Sequence, residues 1–172
     1  RHAGYLSGSG TSALVFRYTV QAGDTDADGI AAASPIDLNG GTIKDAAGNN
    51  TALTFAVPNT SEVLVDTTSP TISISAPSVT MTRGGPVVFT VTYADAHFQA
   101  STLVAANVTL NGNGTTANGT VNVAGSGTAY EVTVSAIIGD GTLGITIATG
   151  TATDKAGNSA PAATSAIFAV DN

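Results

Sequence analysis

The sequence predicts an all-β chain built of two-sheet sandwiches, and three observations support that fold class. Only 10% of the residues are charged and 5% are aromatic, whereas 20 of the 172 residues are glycine, so the chain lacks the Glu and Lys that long surface helices need. Short stretches alternate apolar and polar side chains with a period of two, and turn residues separate them. With 42% apolar residues and a mean hydropathy of +0.25, the chain can bury a core.

The alternating stretches mark the predicted strands. The clearest are 14–20 and 87–93, in which every second side chain is large and apolar. Six shorter strands are predicted around the apolar pairs Ile72 and Ile74, Val108 and Leu110, Val121 and Val123, Val132 and Val134, Ile145 and Ile147, and Phe168 and Val170. About seven short strands between Pro70 and Asn172 fit a two-sheet sandwich.

Two motifs occur twice in the same order, which predicts a tandem repeat. The Gly-Ser-Gly-Thr segment 8–11 recurs at 125–128, an offset of 117 residues. The segment 41–49 ends in Asp-Ala-Ala-Gly-Asn and matches 150–158, which ends in Asp-Lys-Ala-Gly-Asn, an offset of 109 residues. Val65-Asp66 also recurs as Val170-Asp171, each time after an apolar stretch.

The offsets predict the back half of a first repeat at 1–66, a linker at 67–70 and a complete second repeat at 71–172. Residue 1 maps near position 118, so the first repeat lacks about 49 residues that would hold its opening strands. Three or four strands with an uncovered apolar face are not expected to be stable alone in water. We therefore expect residues 1–66 to associate with another molecule, exchange strands or rest on the second domain. A homo-oligomer through the incomplete first repeat is one outcome of this expectation.

Charge and cysteine content exclude several classes of partner. Twelve acidic residues against five basic ones give a net charge of −7 and a pI near 4.3, which repels nucleic acid and anionic lipid and attracts cations. The chain has no cysteine and therefore no disulfide. No apolar run approaches the length of a membrane span, so none is expected in this chain, and any targeting signal is expected outside it.

The segment Asp24-Thr25-Asp26-Ala27-Asp28-Gly29-Ile30 predicts a calcium site, because three carboxylates at alternate positions around a glycine can converge on one hard cation. Ile30 would offer its backbone carbonyl, and Asp66 and Asp95 are candidates for further oxygen ligands. The twelfth position is Pro35 and not Glu, which excludes a helical calcium hand. The second repeat makes the same connection with 139–141 and needs no such cluster. The alternative is a solvated, mildly strained turn.

The segments Asp45–Asn49, Asp154–Asn158 and Val65–Pro70 resemble the bacterial immunoglobulin-like repeats of very large surface adhesins. The stretch from Tyr18 through Asp24 to Gly29 is similar to one subtype of those repeats. The resemblance implies immunoglobulin-like sandwiches in tandem, forming a stalk or spacer for cell adhesion. It also implies secretion to the bacterial cell surface, neighbouring repeats as partners, and calcium that rigidifies the chain between modules.

The acidic segment is expected at the junction between repeats. In an immunoglobulin sandwich, the loop before the last two strands lies at the end where the chain leaves the domain. That position would set Asp24, Asp26 and Asp28 beside Asp66, and a calcium ion there would stiffen the linker.

An enzymatic function is not expected. The chain has only two histidines, and the spacing of Asp95, His97 and Ser101 cannot orient an acid, a base and a nucleophile as a catalytic triad requires. The alternative function is recognition of a carbohydrate or protein through the predicted exposed loops 94–102 and 111–119. Phe98 is the aromatic side chain that such a site would use.

Overall fold

The computed structural model describes residues 1–112 and 116–172, and it confirms an all-β chain. Within these residues the one helix is a 3₁₀ turn at Ala105–Asn107. Chain contacts divide the protein into two compact units, Arg1–Thr67 and Thr68–Asn172. The boundary falls inside the segment 67–70 that the sequence assigns to a linker. None of the described helices is long and apolar enough to span a membrane.

The first unit contains two small antiparallel sheets. Its strands are β1 (Gly4–Ser7), β2 (Val15–Arg17), β3 (Thr25–Asp26) and β4 (Val65–Asp66). β1 pairs with β2, and β3 pairs with β4. The predicted strand 14–20 is therefore shorter than its alternation suggests, and the predicted acidic loop contains a two-residue strand, because Thr25 and Asp26 form a ladder with β4.

The first unit buries almost none of its apolar side chains. Within residues 1–67, all of which the structure describes, Asp24 is the one residue classed as buried. The exposed large apolar side chains are Tyr5, Leu6, Val15, Phe16, Tyr18, Val20, Ile30, Phe55, Val57, Val63 and Leu64. This unit accordingly has no apolar core of its own.

The second unit carries eleven strands within its described residues: β5 (Thr71–Ile74), β6 (Met81–Thr82), β7 (Val87–Ala94), β8 (Phe98–Ser101), β9 (Val108–Asn111), β10 (Asn118–Ser126), β11 (Ala129–Ile138), β12 (Gly141–Ile147), β13 (Ala152–Asp154), β14 (Ala163–Thr164) and β15 (Phe168–Val170). Every strand that the sequence predicts between Pro70 and Asn172 is present. The four additional strands, β6, β8, β13 and β14, have two to four residues and lack the pairs of large apolar side chains that predict the others.

Two sheets form the body of the second unit. One has the strand order β10-β11-β7-β5, and the other has β14-β12-β15-β6, with β9 also on β12. A third pair joins β13 to β8, and β8 lies in the segment 94–102 that the sequence predicts as an exposed loop. That prediction is wrong for 98–101, because the backbone there pairs with β13.

The inward side chains of both sheets meet in one apolar cluster. β7 contributes its alternate residues from Val87 to Tyr93, and β12 contributes its own from Leu143 to Ile147. Phe89 and Phe168 join the two sheets, with ring centroids 6.2 Å apart. A single core between two sheets is consistent with a β-sandwich.

Candidate functional site

Asp24, the first carboxylate of the acidic segment, is held by three hydrogen bonds within the first unit. Its Oδ1 accepts from the Arg1 guanidinium at 2.6 Å, and its Oδ2 accepts from the Tyr18 hydroxyl at 2.5 Å and the Gln21 amide at 2.8 Å. The Asp24 residue is 6% exposed. These donors stabilise the charged form of the carboxylate, so both of its oxygens already serve the local structure.

The same contacts shift the titration of this group. The Tyr18 hydroxyl, followed by the Gln21 amide and the Arg1 guanidinium, lowers the pKa of Asp24 to about 2. The Tyr18 hydroxyl donates to Asp24, and this hydrogen bond raises the pKa of the phenol. Asp24 is therefore ionised over the whole physiological pH range.

A turn at Gly23-Asp24 ties Asp24 to the end of the first unit. Thr67 Oγ1 accepts from the Gly23 amide at 2.9 Å and donates to the Asp24 carbonyl at 3.1 Å. The sequence does not predict that Arg1, Tyr18 and Thr67 form hydrogen bonds with Asp24. Gly139-Asp140, which repeats the Gly-Asp pair before β12, was the signal that could have indicated a structural turn here.

The other predicted ligands of the acidic segment lie close in sequence but not on one face. Asp26 Oδ1 accepts the Gly29 amide at 2.8 Å, and Asp28 is exposed. The Ile30 carbonyl accepts a hydrogen bond from the Thr60 hydroxyl. In the β3–β4 ladder Asp66 stands opposite Thr25, and Asp26 stands opposite Val65. Since neighbouring residues of a strand point to opposite faces, Asp26 and Asp66 face opposite sides of this ladder.

These contacts limit how calcium could bind. The Asp24 carboxylate is not suited to bind a metal ion while it accepts hydrogen bonds from its three donors. Calcium requires six to eight oxygen ligands in all. Asp26 and Asp28 are the carboxylates of the segment that remain suited to a cation. Asp95 belongs to the second unit, where its Oδ1 accepts the His97 backbone amide at 2.7 Å. Calcium binding by these residues stays a prediction.

The Asp-x-Ala-Gly-Asn turn has the same geometry in both units. Asp45 Oδ1 accepts the Asn49 amide at 2.8 Å and Oδ2 accepts its side-chain amide at 2.9 Å; in the second unit Asp154 makes the same two bonds to Asn158 at 2.8 and 2.7 Å. A backbone bond between the two ends of the turn, from aspartate amide to asparagine carbonyl, measures 3.0 and 3.1 Å.

Burial separates these two turns. Asp154 is 0% exposed, whereas Asp45 lies at the surface. The side-chain and backbone amides of Asn49 lower the pKa of Asp45. Each turn is also closed by an isolated β-bridge at equivalent positions, Lys44 with Asn50 and Thr153 with Ser159.

The β1–β2 hairpin of the first unit and the β10–β11 hairpin of the second unit share a register. Gly4 pairs with Arg17 and Tyr5 with Phe16 in the first unit. At the offset of 117 residues these become Val121 with Val134 and Asn122 with Thr133, which are the pairs found between β10 and β11. The register then shifts at Ser7, which pairs with Val15.

The glycines that close these hairpins are also equivalent. Gly8 has a φ of +107° and Gly125 has a φ of +117°, a region that side chains rarely adopt. A Cβ atom would lie 2.0 Å from the Ala13 carbonyl oxygen at Gly8 and 2.5 Å from that of Ala129 at Gly125. Glycine is therefore required at both turns.

The closing residue of the second unit also contacts a Gly-Asp pair, but through different bonds from those that Thr67 makes in the first unit. Asn172 donates its backbone amide to Asp140 Oδ1 at 2.8 Å and its side-chain amide to the Gly139 carbonyl at 2.7 Å. Gly139 and Asp140 occupy the position that Gly23 and Asp24 take in the first unit, and their glycines have φ values of +75° and +88°.

The predicted recognition loops 94–102 and 111–119 show little that supports a binding site. Phe98 is half-buried and packs against the core, so it does not form an exposed platform. Residues 113–115 of the predicted loop 111–119 lie outside the described residues, and residues 118–119 begin strand β10. The Ser101 hydroxyl contacts the Gly127 carbonyl and the Tyr130 hydroxyl.

No family model matches the chain, and no curated protein or solved structure matches it.

Proposed function

We propose that this chain is a spacer segment of a large bacterial adhesin at the cell surface, built of immunoglobulin-like sandwich repeats in tandem. The observation that carries the proposal is the pair of Asp-x-Ala-Gly-Asn turns, whose carboxylate and backbone bonds agree between the units to within a few tenths of an ångström. The shared register of the hairpins supports the same correspondence. Repeats that contact only their neighbours suit a stalk.

The surface chemistry supports a spacer over an enzyme. The chain carries hydroxyl, amide and glycine residues with few charges, and Ser101 is engaged by Gly127 and Tyr130. The buried polar groups of the second unit also have structural roles, since the Tyr93 hydroxyl donates to Thr151 Oγ1 at 2.8 Å inside the core.

Mechanical unfolding of the full chain between two protein handles tests the spacer role. The second unit should unfold in one event that releases about 350–380 Å of contour length, less the end-to-end distance of the folded unit, since an extended residue spans about 3.3–3.6 Å. The first unit should give no separate event, because it has no buried apolar core. Extension of the chain without a force peak from the second unit would refute a mechanical role as a spacer. Antibody labelling of intact cells of the source organism tests the surface location.

We propose further that calcium, if it binds the first unit, uses Asp26 and Asp28. Terbium luminescence sensitised by nearby tyrosine measures binding to the full chain, with calcium as the competitor. Asp26→Asn with Asp28→Asn should abolish the signal. Asp37→Asn, which removes an exposed aspartate in the same unit, is the matched control and should leave the signal unchanged. Equal terbium luminescence from the Asp26→Asn, Asp28→Asn double variant and from Asp37→Asn would exclude this site.

A further inference from the structure

Strand β10 has the longest open edge of the second unit. It lies at one end of the sheet β10-β11-β7-β5, and its one strand partner among the described residues is β11. β10 has nine residues, whereas every other strand with a single partner in the described part of this unit has two to four. An open strand edge offers unpaired backbone groups to another extended chain.

The hydrogen-bonding pattern shows which backbone groups of β10 face outward. The Tyr93 amide donates to the Thr128 carbonyl at 2.9 Å, so Thr128 and every second residue after it in β11 bond to β7. The residues between them bond to β10, and the one opposite Asn122 is among these. Asn122 therefore bonds inward to β11, and its neighbours Val121 and Val123 direct their amides and carbonyls to the open edge.

β10 lacks the features that keep strand edges from pairing. Proteins protect such edges with charged side chains, with proline or with a bulge. No residue of β10 is charged or is proline, and its register irregularity lies at its start, between Asn118 and Thr120. The rest of the strand pairs regularly with β11. An identical strand can therefore approach this edge without charge repulsion.

The sequence of β10 is complementary to itself in the antiparallel direction. In the register centred on Asn122, all nine residues pair with those of a second copy. Val121 then stands opposite Val123 of the second copy, and their outward amides and carbonyls form a hydrogen-bonded pair. Both valines pack against the core side of the sheet, and a two-fold axis perpendicular to the sheet keeps that side common to the two copies.

We propose that the second unit self-associates through β10, with a second copy of this chain as the occupant of the edge. The two strands pair antiparallel about Asn122 and join the four-stranded sheets of both copies into one continuous sheet. A single strand pair buries little surface, so the dimer is weak, with a dissociation constant of roughly 0.1–1 mM. This pairing depends on the second unit alone and not on the spacer role.

Sedimentation velocity and hydrogen exchange by NMR on the full chain, both up to about 1 mM, measure the association. Dimers should form as the concentration rises. The amides of Val121 and Val123 should then exchange about two- to fivefold more slowly than in dilute solution, because the dimer protects them by mass action. The Asn122 amide already bonds to β11 in the monomer, so its exchange should not change, which is the internal control.

Opposite charges at the centre of the register test its geometry. In a pair of this kind the two Asn122 Cα atoms lie about 4.5 Å apart. Asn122→Lys or Asn122→Asp sets like charges against each other, so each variant alone should remain monomeric. An equimolar mixture of the two should form a heterodimer, which shows that both variants are folded. Thr90→Lys adds a charge at an exposed position on an inner strand of the same sheet, and this control should dimerise like the unaltered chain.

Four results would overturn the proposal. The first is an unaltered chain that stays monomeric up to about 1 mM. The second is an Asn122 variant that dimerises alone as strongly as the unaltered chain, which would place the contact elsewhere. The third is a mixture of the two variants that stays monomeric. The fourth is slow exchange at Val121 and Val123 that does not depend on concentration, which would identify a segment of the same chain as the occupant of the edge.

Discussion

Replacing Asp154 with alanine should destabilise the second unit, whereas Asp45→Ala should leave the thermal unfolding of that unit unchanged. The two aspartates make the same pair of carboxylate bonds to an asparagine four residues later. They differ in burial, because Asp154 is 0% exposed and Asp45 is at the surface. Asp45→Ala therefore removes the same carboxylate bonds outside the second unit and serves as a control for the loss of one aspartate from the chain.

The magnitude follows from the bonds that are lost at Asp154. Two donors of Asn158 lose a charged acceptor, and a hydrogen bond to a charged group contributes about 1.5–3 kcal/mol. The Asn158 side-chain amide also lies 3.3 Å from the Thr68 carbonyl, so this donor keeps one acceptor after the substitution. We expect a loss of about 2–4 kcal/mol in the free energy of unfolding. For a domain of this size that corresponds to a decrease in Tm of about 8–16 °C.

Differential scanning calorimetry of the full chain measures this decrease. Asp154→Asn should give a smaller loss than Asp154→Ala, because an amide oxygen can still accept the Asn158 backbone hydrogen. Asp45→Ala is the matched control for removal of an aspartate from the same turn. An unchanged Tm of the second unit in Asp154→Ala would refute the argument that the buried bonds between Asp154 and Asn158 stabilise it.

Three further outcomes are expected. Phe89→Ala should cost about 3–5 kcal/mol in urea denaturation, because it opens a cavity in a fully buried core, whereas Phe16→Ala should leave the same transition unmoved. Gly125→Ala should lower stability by about 1–3 kcal/mol, since the new Cβ atom would lie 2.5 Å from a backbone oxygen at a φ of +117°; an unchanged urea midpoint would contradict this. The lowered pKa of Asp24 means that its stabilising contacts are complete above the unfolded pKa near 4 and are lost as pH falls towards 2, so protection of the Gln21 amide from exchange should decrease over that range. Tyr18→Phe should move this decrease to higher pH, because the Tyr18 hydroxyl is the main group that lowers the pKa of Asp24.

The strands of the second unit could be predicted because their signal is local. Val87, Phe89 and Val91 place buried apolar side chains at every second position, and this period matches the two faces of a strand. The extra strand β8 could not be predicted in the same way. Its four residues alternate apolar and polar side chains but include only one large apolar residue, and their pairing with β13 depends on a segment about 50 residues further along the chain.

The acidic segment shows the limit of reasoning from spacing. Three aspartates at alternate positions predict convergence on a cation, but the structure commits Asp24 to Arg1 and Tyr18. It also adds a short ladder between β3 and β4 that turns Asp26 and Asp66 to opposite faces. Spacing along the chain cannot reveal these contacts, because the partners are brought together only by the fold of the first unit.

Three features could be predicted from the sequence alone: the all-β class, the main strands of the second unit and the repeated Asp-x-Ala-Gly-Asn turn. Period-two alternation and turn chemistry act over a few residues, so they can be recognised without the fold. The difference in burial between Asp154 and Asp45, and between Val132 and Val15, can be seen only in the tertiary structure. Asp154 and Val132 are buried, whereas Asp45 and Val15 are exposed. Burial depends on which strands lie alongside, and β7 contacts β11 across about 40 residues of chain. Equivalent segments of the two units therefore share their local geometry, while the strands packed against each segment set how much its residues contribute to stability.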